Sequence, residues 1–120
     1  KLIVDAYNAN PTSMKAALDN FAMVKADGKA LILGDMRELG ESSREEHINT
    51  LNQIKGYGFA DVYLVGSEFA QAQADLTTSY HLNNNIEELI EYMKQNPMLG
   101  KTVLIKGSNS IGLTKITDYL

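Results

Sequence analysis

Five stretches of this sequence place polar or glycine-bearing segments directly after short apolar runs. Leu2-Ile3-Val4 leads into Asp5-Ala6-Tyr7-Asn8-Ala9-Asn10, and the run ending at Leu33 leads into Gly34-Asp35-Met36-Arg37-Glu38-Leu39-Gly40. Val65 is followed by Gly66-Ser67, Leu82 by Asn83-Asn84-Asn85, and Ile105 by Lys106-Gly107-Ser108-Asn109-Ser110. Asn, Ser and Gly are also the ordinary residues of turns and caps, so polarity alone does not make a site. Two details go further. The second stretch is ionic and longer than a minimal strand-to-helix turn, and the fifth sets Lys106 beside Gly107 and two serines. A lysine offers a point charge to a phosphate or carboxylate, and an adjacent glycine lets the backbone approach closely, so the fifth stretch suits an anion.

The elements that would carry these stretches follow from periodicity. Short apolar runs alternate with segments of helical spacing, the signature of βαβ units on a largely parallel sheet. Strands are expected at Leu2 to Val4, Ala30 to Leu33, Val62 to Val65, Tyr80 to Leu82 and Val103 to Ile105. Asn10 with Pro11 opens a helix whose apolar face is Met14, Leu18, Phe21 and Ala22, ended by Asp27-Gly28. Ser42 or Ser43 caps a second, with Glu45 and Glu46 in its first turn and Ile48, Leu51 and Ile54 buried. A shorter helix runs from Ser67 to about Asp75. Asn85 with Glu88 resembles a capping box ahead of Ile86, Leu89, Ile90 and Met93, and Asn96-Pro97 stops that helix. Ile111, Ile116, Tyr119 and Leu120 suggest a last helix. The expected fold is therefore three-layer α/β/α, Rossmann-like, with a mostly parallel sheet of about five or six strands. In such sheets ligands bind outside the carboxyl ends of the strands, where all five polar stretches fall.

Length and composition narrow the choices. The 120 residues make one domain, with no apolar run near the ~20 residues of a membrane span. The net charge is −4 and the basic residues are scattered, against the basic stripe nucleic-acid binding requires. With no cysteine there is no disulfide or thiolate site, which fits the cytoplasm. His47 and His81 lie apart from other ligand-type residues, so no metal site is expected. Gly100-Lys101-Thr102 resembles the end of a P-loop, but Gln95 stands where its first glycine belongs, and a strand rather than a helix follows. A G-x-G-x-x-G after the first strand is absent too. Lys1 runs straight into the first apolar run with no initiator Met, so the chain is expected to be a piece of a longer protein.

Three segments, in order, carry a family resemblance: Asp5-Ala6-Tyr7-Asn8-Ala9-Asn10-Pro11 with Ser13-Met14, then Gly34 to Gly40 with His47 behind it, then Lys106-Gly107-Ser108. Together they resemble the C-terminal domain of the Mur ligases, closest to the branch that adds D-alanyl-D-alanine, over nearly the whole chain. One position departs: the family usually has Arg after Lys-Gly-Ser, and Asn109 stands there. The resemblance implies a bacterial, cytoplasmic, ATP-dependent amide-bond ligase of peptidoglycan synthesis. It implies three domains, a monomer, and ATP and Mg2+ held mainly by a central domain outside this chain. Its partners would be ATP, D-Ala-D-Ala and UDP-muramoyl-tripeptide, with no nucleic acid and no membrane. Carried over by position, Asp5 would accept from ribose hydroxyls, with Tyr7, Asn8 and Asn10 near the nucleotide. Lys106, Ser108 and Asn109 would meet the dipeptide carboxylate, and Asp35 or Glu38 would steady the loops or meet the amine. No residue of this domain alone would be catalytic.

Two other classes remain open on the residues. A phospho-receiver domain shares the βα pattern and the strand-five lysine, but needs an aspartate where Gly66-Ser67 stands. A stand-alone module binding a small ligand or protein at the same edge would need none of the enzyme's other parts.

Overall fold

A computed structural model of the chain describes residues 2–5, 10–26, 28–59, 61–74, 80–98, 100–108 and 112–119. The strands are β1 (Leu2–Asp5), β2 (Lys29–Gly34), β3 (Asp61–Val65), β4 (His81–Asn83) and β5 (Thr102–Lys106). Between them run α1 (Pro11–Ala22), α2 (Ser43–Tyr57), α3 (Ser67–Ala74) and α4 (Ile86–Gln95). All pairings are parallel, in the order β1-β5-β2-β3-β4.

A parallel sheet must be covered on both faces, and the alternation of side chains along each strand divides the core accordingly. Leu31, Leu33, Val62, Leu64 and Leu104 pack with Met14, Leu18 and Phe21 of α1, Leu51 and Ile54 of α2, and Phe69 and Ala72 of α3. Ala30, Ile32, Tyr63, Val65, Val103 and Ile105 pack with Ile86, Leu89 and Met93 of α4 and with Leu113 and Ile116. Three helices thus cover one face, and α4 with a 3-10 helix (Leu113–Tyr119) covers the other. The expected α/β/α layering is what the chain forms.

The strand order has a consequence at the carboxyl edge. From β2 to β4 the chain steps outward one strand at a time, but α4 carries it back past β3 and β2 to insert β5 beside β1. β5 leads to the face covered by α4, while β1 and β2 on either side lead to α1 and α2 on the opposite face. Chains that diverge in this way leave a crevice outside the strand ends.

Local chemistry explains the element ends. Asn10 caps α1 by accepting from the Ser13 N–H at 2.8 Å, while Ser13 Oγ accepts from the Asn10 N–H at 3.1 Å. α1 stops at Ala22, ahead of Asp27-Gly28, and Lys29 Nζ donates to the carbonyls of Phe21 and Ala22, supplying the positive charge the helix C-terminus favours. α2 has no side-chain cap: a 3-10 turn, Gly40–Ser42, runs directly into it, and Ser42 Oγ donates to the Leu39 carbonyl instead. At α4 the expected box is displaced by one residue, since Glu88 N–H donates to Asn85 Oδ1 but the Glu88 carboxylate takes the Asn84 N–H.

Two sequence expectations are corrected. The last helix is 3-10 rather than α, and its inward residues Leu113 and Ile116 recur at three-residue spacing; Ile111 and Leu120 lie outside the described residues. β1, β2 and β5 each extend one residue beyond their apolar runs, so Asp5, Gly34 and Lys106 belong to strands rather than to the turns after them.

Candidate functional site

The crevice beside β5 gathers the ends of the three segments singled out in the sequence. In register, Asp5 of β1 pairs with Lys106 of β5, and Lys106 pairs with Leu33 of β2. The Lys106 side chain is 1% exposed at this edge. Gly107 follows, packed so closely on β2 that an added Cβ would lie 2.8 Å from Gly34 Cα. Ser108 is half-buried, and its N–H donates to the Asp35 carbonyl at 3.1 Å.

Asp35 is the joint of this edge. Its N–H donates to the Val65 carbonyl at 3.0 Å, which ties the end of β2 to β3, and its carbonyl ties β2 to the turn after β5. Its carboxylate is fully buried and accepts from two backbone groups at the start of α3, Glu68 N–H to Oδ2 and Phe69 N–H to Oδ1, each at 3.0 Å. The residue before α3 is Gly66, which has no side chain to cap the helix, so the cap comes from the neighbouring strand end. Gly66 also makes room for it. A Cβ there would overlap the Asp35 carboxyl group, and the backbone has φ +122, which L side chains rarely adopt.

Burial pushes the Asp35 carboxyl above its ordinary value of 3.8, more strongly than the Glu68 and Phe69 N–H groups and the nearby Arg37 pull it down. A carboxyl whose folded-state value is raised favours the native state most when it is protonated in both states. That contribution is full below the ordinary value and is lost as pH rises through the raised one. The difference in urea midpoint between the wild type and Asp35→Asn is therefore expected to shrink in the wild type's disfavour as pH climbs from about 3.8. A difference that grows in the wild type's favour over that range would reverse the assignment.

The remaining sequence candidates divide. Asn10 is exposed and its side-chain oxygen is engaged in capping α1. Glu38 is exposed and takes a left-handed backbone, φ 62, an uncommon state for a non-glycine residue that makes the sharp turn of the second loop. Tyr7, Asn8 and Asn109 lie outside the described residues, and only the backbone of Asp5 is described.

A family model described as "Mur ligase, glutamate ligase domain" matches residues 1–109. The chain belongs to that family. Among its relatives, the UDP-N-acetylmuramoyl-tripeptide–D-alanyl-D-alanine ligase of Rickettsia prowazekii is 40% identical over 99% of this chain and 27% of its own length. The enzyme of the same name from Treponema pallidum is 33% identical over 98% of this chain and 27% of its own. The chain thus spans a little over a quarter of these relatives. A crystal structure of MurF from Acinetobacter baumannii superposes with a TM-score of 0.77 at 27% identity, over 95% of this chain and 26% of that one. MurF ligase from Thermotoga maritima, solved in complex with ADP, gives the same TM-score at 20% identity over 98% of this chain and 27% of that one, a likeness of fold.

Within this Mur ligase domain, three residues organise the edge without having been singled out for that role: Gly66, Glu68 and Ser43. Ser43 Oγ donates to Glu68 Oε2 at 3.0 Å, joining the starts of α2 and α3. Nothing in their spacing marks them, because each acts on a partner many positions away. His47, which follows the second loop in sequence, accepts the Met36 N–H at Nε2, 3.0 Å away. His81 sits half-buried on β4 against the rings of Tyr63 and Tyr92.

Proposed function

We propose that the protein carrying this chain is an ATP-dependent amide-bond ligase of bacterial peptidoglycan synthesis that joins D-alanyl-D-alanine to UDP-N-acetylmuramoyl-tripeptide. The observation that carries the proposal is the convergence of the three family segments on neighbouring strands, β1, β5 and β2, at the crevice beside β5. Relatives bearing that activity in their names match almost the full chain.

In this reading the tripeptide carboxylate attacks the γ-phosphorus of ATP and releases ADP, forming an acyl phosphate. The amine of the dipeptide then attacks the acyl carbon, and phosphate leaves with the bonding pair. The crevice supplies position rather than proton transfer. By the family resemblance, Asp5 would accept from ribose hydroxyls, with Tyr7, Asn8 and Asn10 near the nucleotide. Lys106, Ser108 and Asn109 would meet the dipeptide carboxylate. Asp35 steadies the loops, since its carboxylate is already occupied by two N–H groups, and the exposed Glu38 is the acid left to meet the amine. By the same resemblance, magnesium would be held mainly by a central domain outside this chain. A cytoplasmic location suits substrates of this kind, and no described helix is long and apolar enough to cross a membrane.

The test is phosphate release by the whole protein with ATP and UDP-muramoyl-tripeptide. Release is expected with D-Ala-D-Ala and not with D-glutamate, the amine that the family's description brings to mind. Release that depends on glutamate and ignores the dipeptide would overturn the proposal. The 120-residue chain alone is expected to turn over nothing.

A further inference from the structure

His47 touches no strand end, yet it decides where the second loop begins. Its ring is fully buried on the second turn of α2. Nδ1 lies 2.6 Å from the Ser43 carbonyl, which can only accept, so Nδ1 carries the proton. Nε2 is then a lone pair, and it accepts the Met36 N–H at 3.0 Å. Both ring nitrogens are committed, and the neutral Nδ1–H tautomer is the one form that satisfies both partners. Phe69 packs edge-on against the ring, centroids 4.6 Å apart at 82°, and the N–H of that same Phe69 holds the Asp35 carboxylate.

Two consecutive loop residues are therefore fastened to two different helices, Asp35 to α3 by its side chain and Met36 to α2 by its backbone. Beyond them Arg37 and Glu38 are exposed, so the loop is anchored at its root and open at its tip. A doubly protonated ring would present an N–H to the Met36 N–H and the second anchor would be lost. The charged groups around the ring come from three elements. Asp35 and Arg37 belong to the loop, with Asp35 buried close enough to couple electrostatically to His47. Glu68 of α3 reaches the ring's surroundings through Ser43 Oγ, which also lies 3.4 Å from Nδ1. Arg44 and Glu46 share α2 with it.

We infer that His47 is a positioning residue: its unprotonated Nε2 holds the root of the 35–40 loop so that the loop's exposed tip meets the amine-bearing substrate. The inference rests on the ligase reading for the identity of that substrate, but not for the tether itself.

The experiment compares the whole protein with its His47→Leu and His47→Gln variants. Glutamine can set an amide oxygen where Nε2 stands and does not titrate, whereas leucine offers no acceptor. Hydrogen exchange of the peptide spanning Gly34 to Leu39 is expected to quicken in His47→Leu and to stay protected in His47→Gln. The KM for D-Ala-D-Ala should rise about tenfold in His47→Leu, with kcat and the KM for ATP within about twofold. Unchanged exchange in His47→Leu overturns the tether, and an unchanged KM alongside quickened exchange overturns its role in binding. A His47→Gln variant that folds but shows quickened exchange and a raised KM for the dipeptide overturns the proposal even if the leucine variant does not fold. Absence of dipeptide-dependent turnover in the wild type would instead sink the ligase reading, and the exchange arm would still decide the tether.

Discussion

Asp35→Ala is expected to lower the unfolding free energy by about 3 kcal/mol, since it strips a hydrogen-bond acceptor from two backbone N–H groups at the start of α3. Removing the carboxyl also removes the cost of burying it, which is why the loss is smaller than two full desolvation penalties. The variant has a diagnostic partner in Gly66→Ala. Alone, Gly66→Ala should cost a similar amount, because the new methyl group overlaps the Asp35 carboxyl and the backbone holds φ +122. In the Asp35→Ala background the overlap is gone, so Gly66→Ala should cost clearly less, with a coupling of about 1–2 kcal/mol in urea unfolding. Costs that simply add would mean that the two residues do not compete for one space.

Gly107→Ala is the second large effect expected, a loss of about 3 kcal/mol with the crevice deformed. The added Cβ would lie 2.5 Å from Leu113 Cδ1, and 2.8 and 2.9 Å from Cα and N of Gly34. A side chain can turn aside, but the Gly34 backbone is the end of β2, paired with β3 through Val65. Relief must come by prising β5 away from β2, which moves Lys106 and Ser108 from the loop that Asp35 steadies. The change of residue type has an internal control in Gly56, on α2, where an added Cβ meets nothing within 4 Å and φ is not positive. Gly56→Ala should stabilise by about 0.5–1 kcal/mol through helix propensity. If both substitutions shift the urea midpoint in the same direction, the close approach at Gly107 is not what matters.

Sequence periodicity reached most of the elements because each rests on neighbours in the chain. The i, i+3, i+4 stripe of α4 and the Asn10-Pro11 start of α1 are local facts. Strand ends were less legible. Lys106 and Asp5 are polar, so hydrophobicity stops before them, yet main-chain pairing across β1 and β5 carries the ladder on. Strand order was not legible at all, since parallel strands of Leu, Ile and Val look alike whichever neighbour they take. The edge itself could be named from the polar stretches after the strands, but not its division of labour. Asp35 was read with two alternatives, steadying the loops or meeting the amine. Its burial under Glu68 and Phe69 favours the first, through partners 33 and 34 positions away that no spacing rule connects. The tautomer of His47 likewise depends on Met36 and Ser43 lying at opposite edges of one ring.

The placement of β5 also governs the order in which this protein can assemble. β2, β3 and β4 pair with sequence neighbours and can form while the chain is still emerging from the ribosome. β1, made first, must wait: its partner is β5, with Leu2 against Val103, so it has no ladder until the last strand arrives. Closing so long a loop is the slow, entropically costly part of such a topology. Both walls of the crevice then appear in one event. In a nascent chain the crevice therefore does not exist until synthesis has passed Lys106.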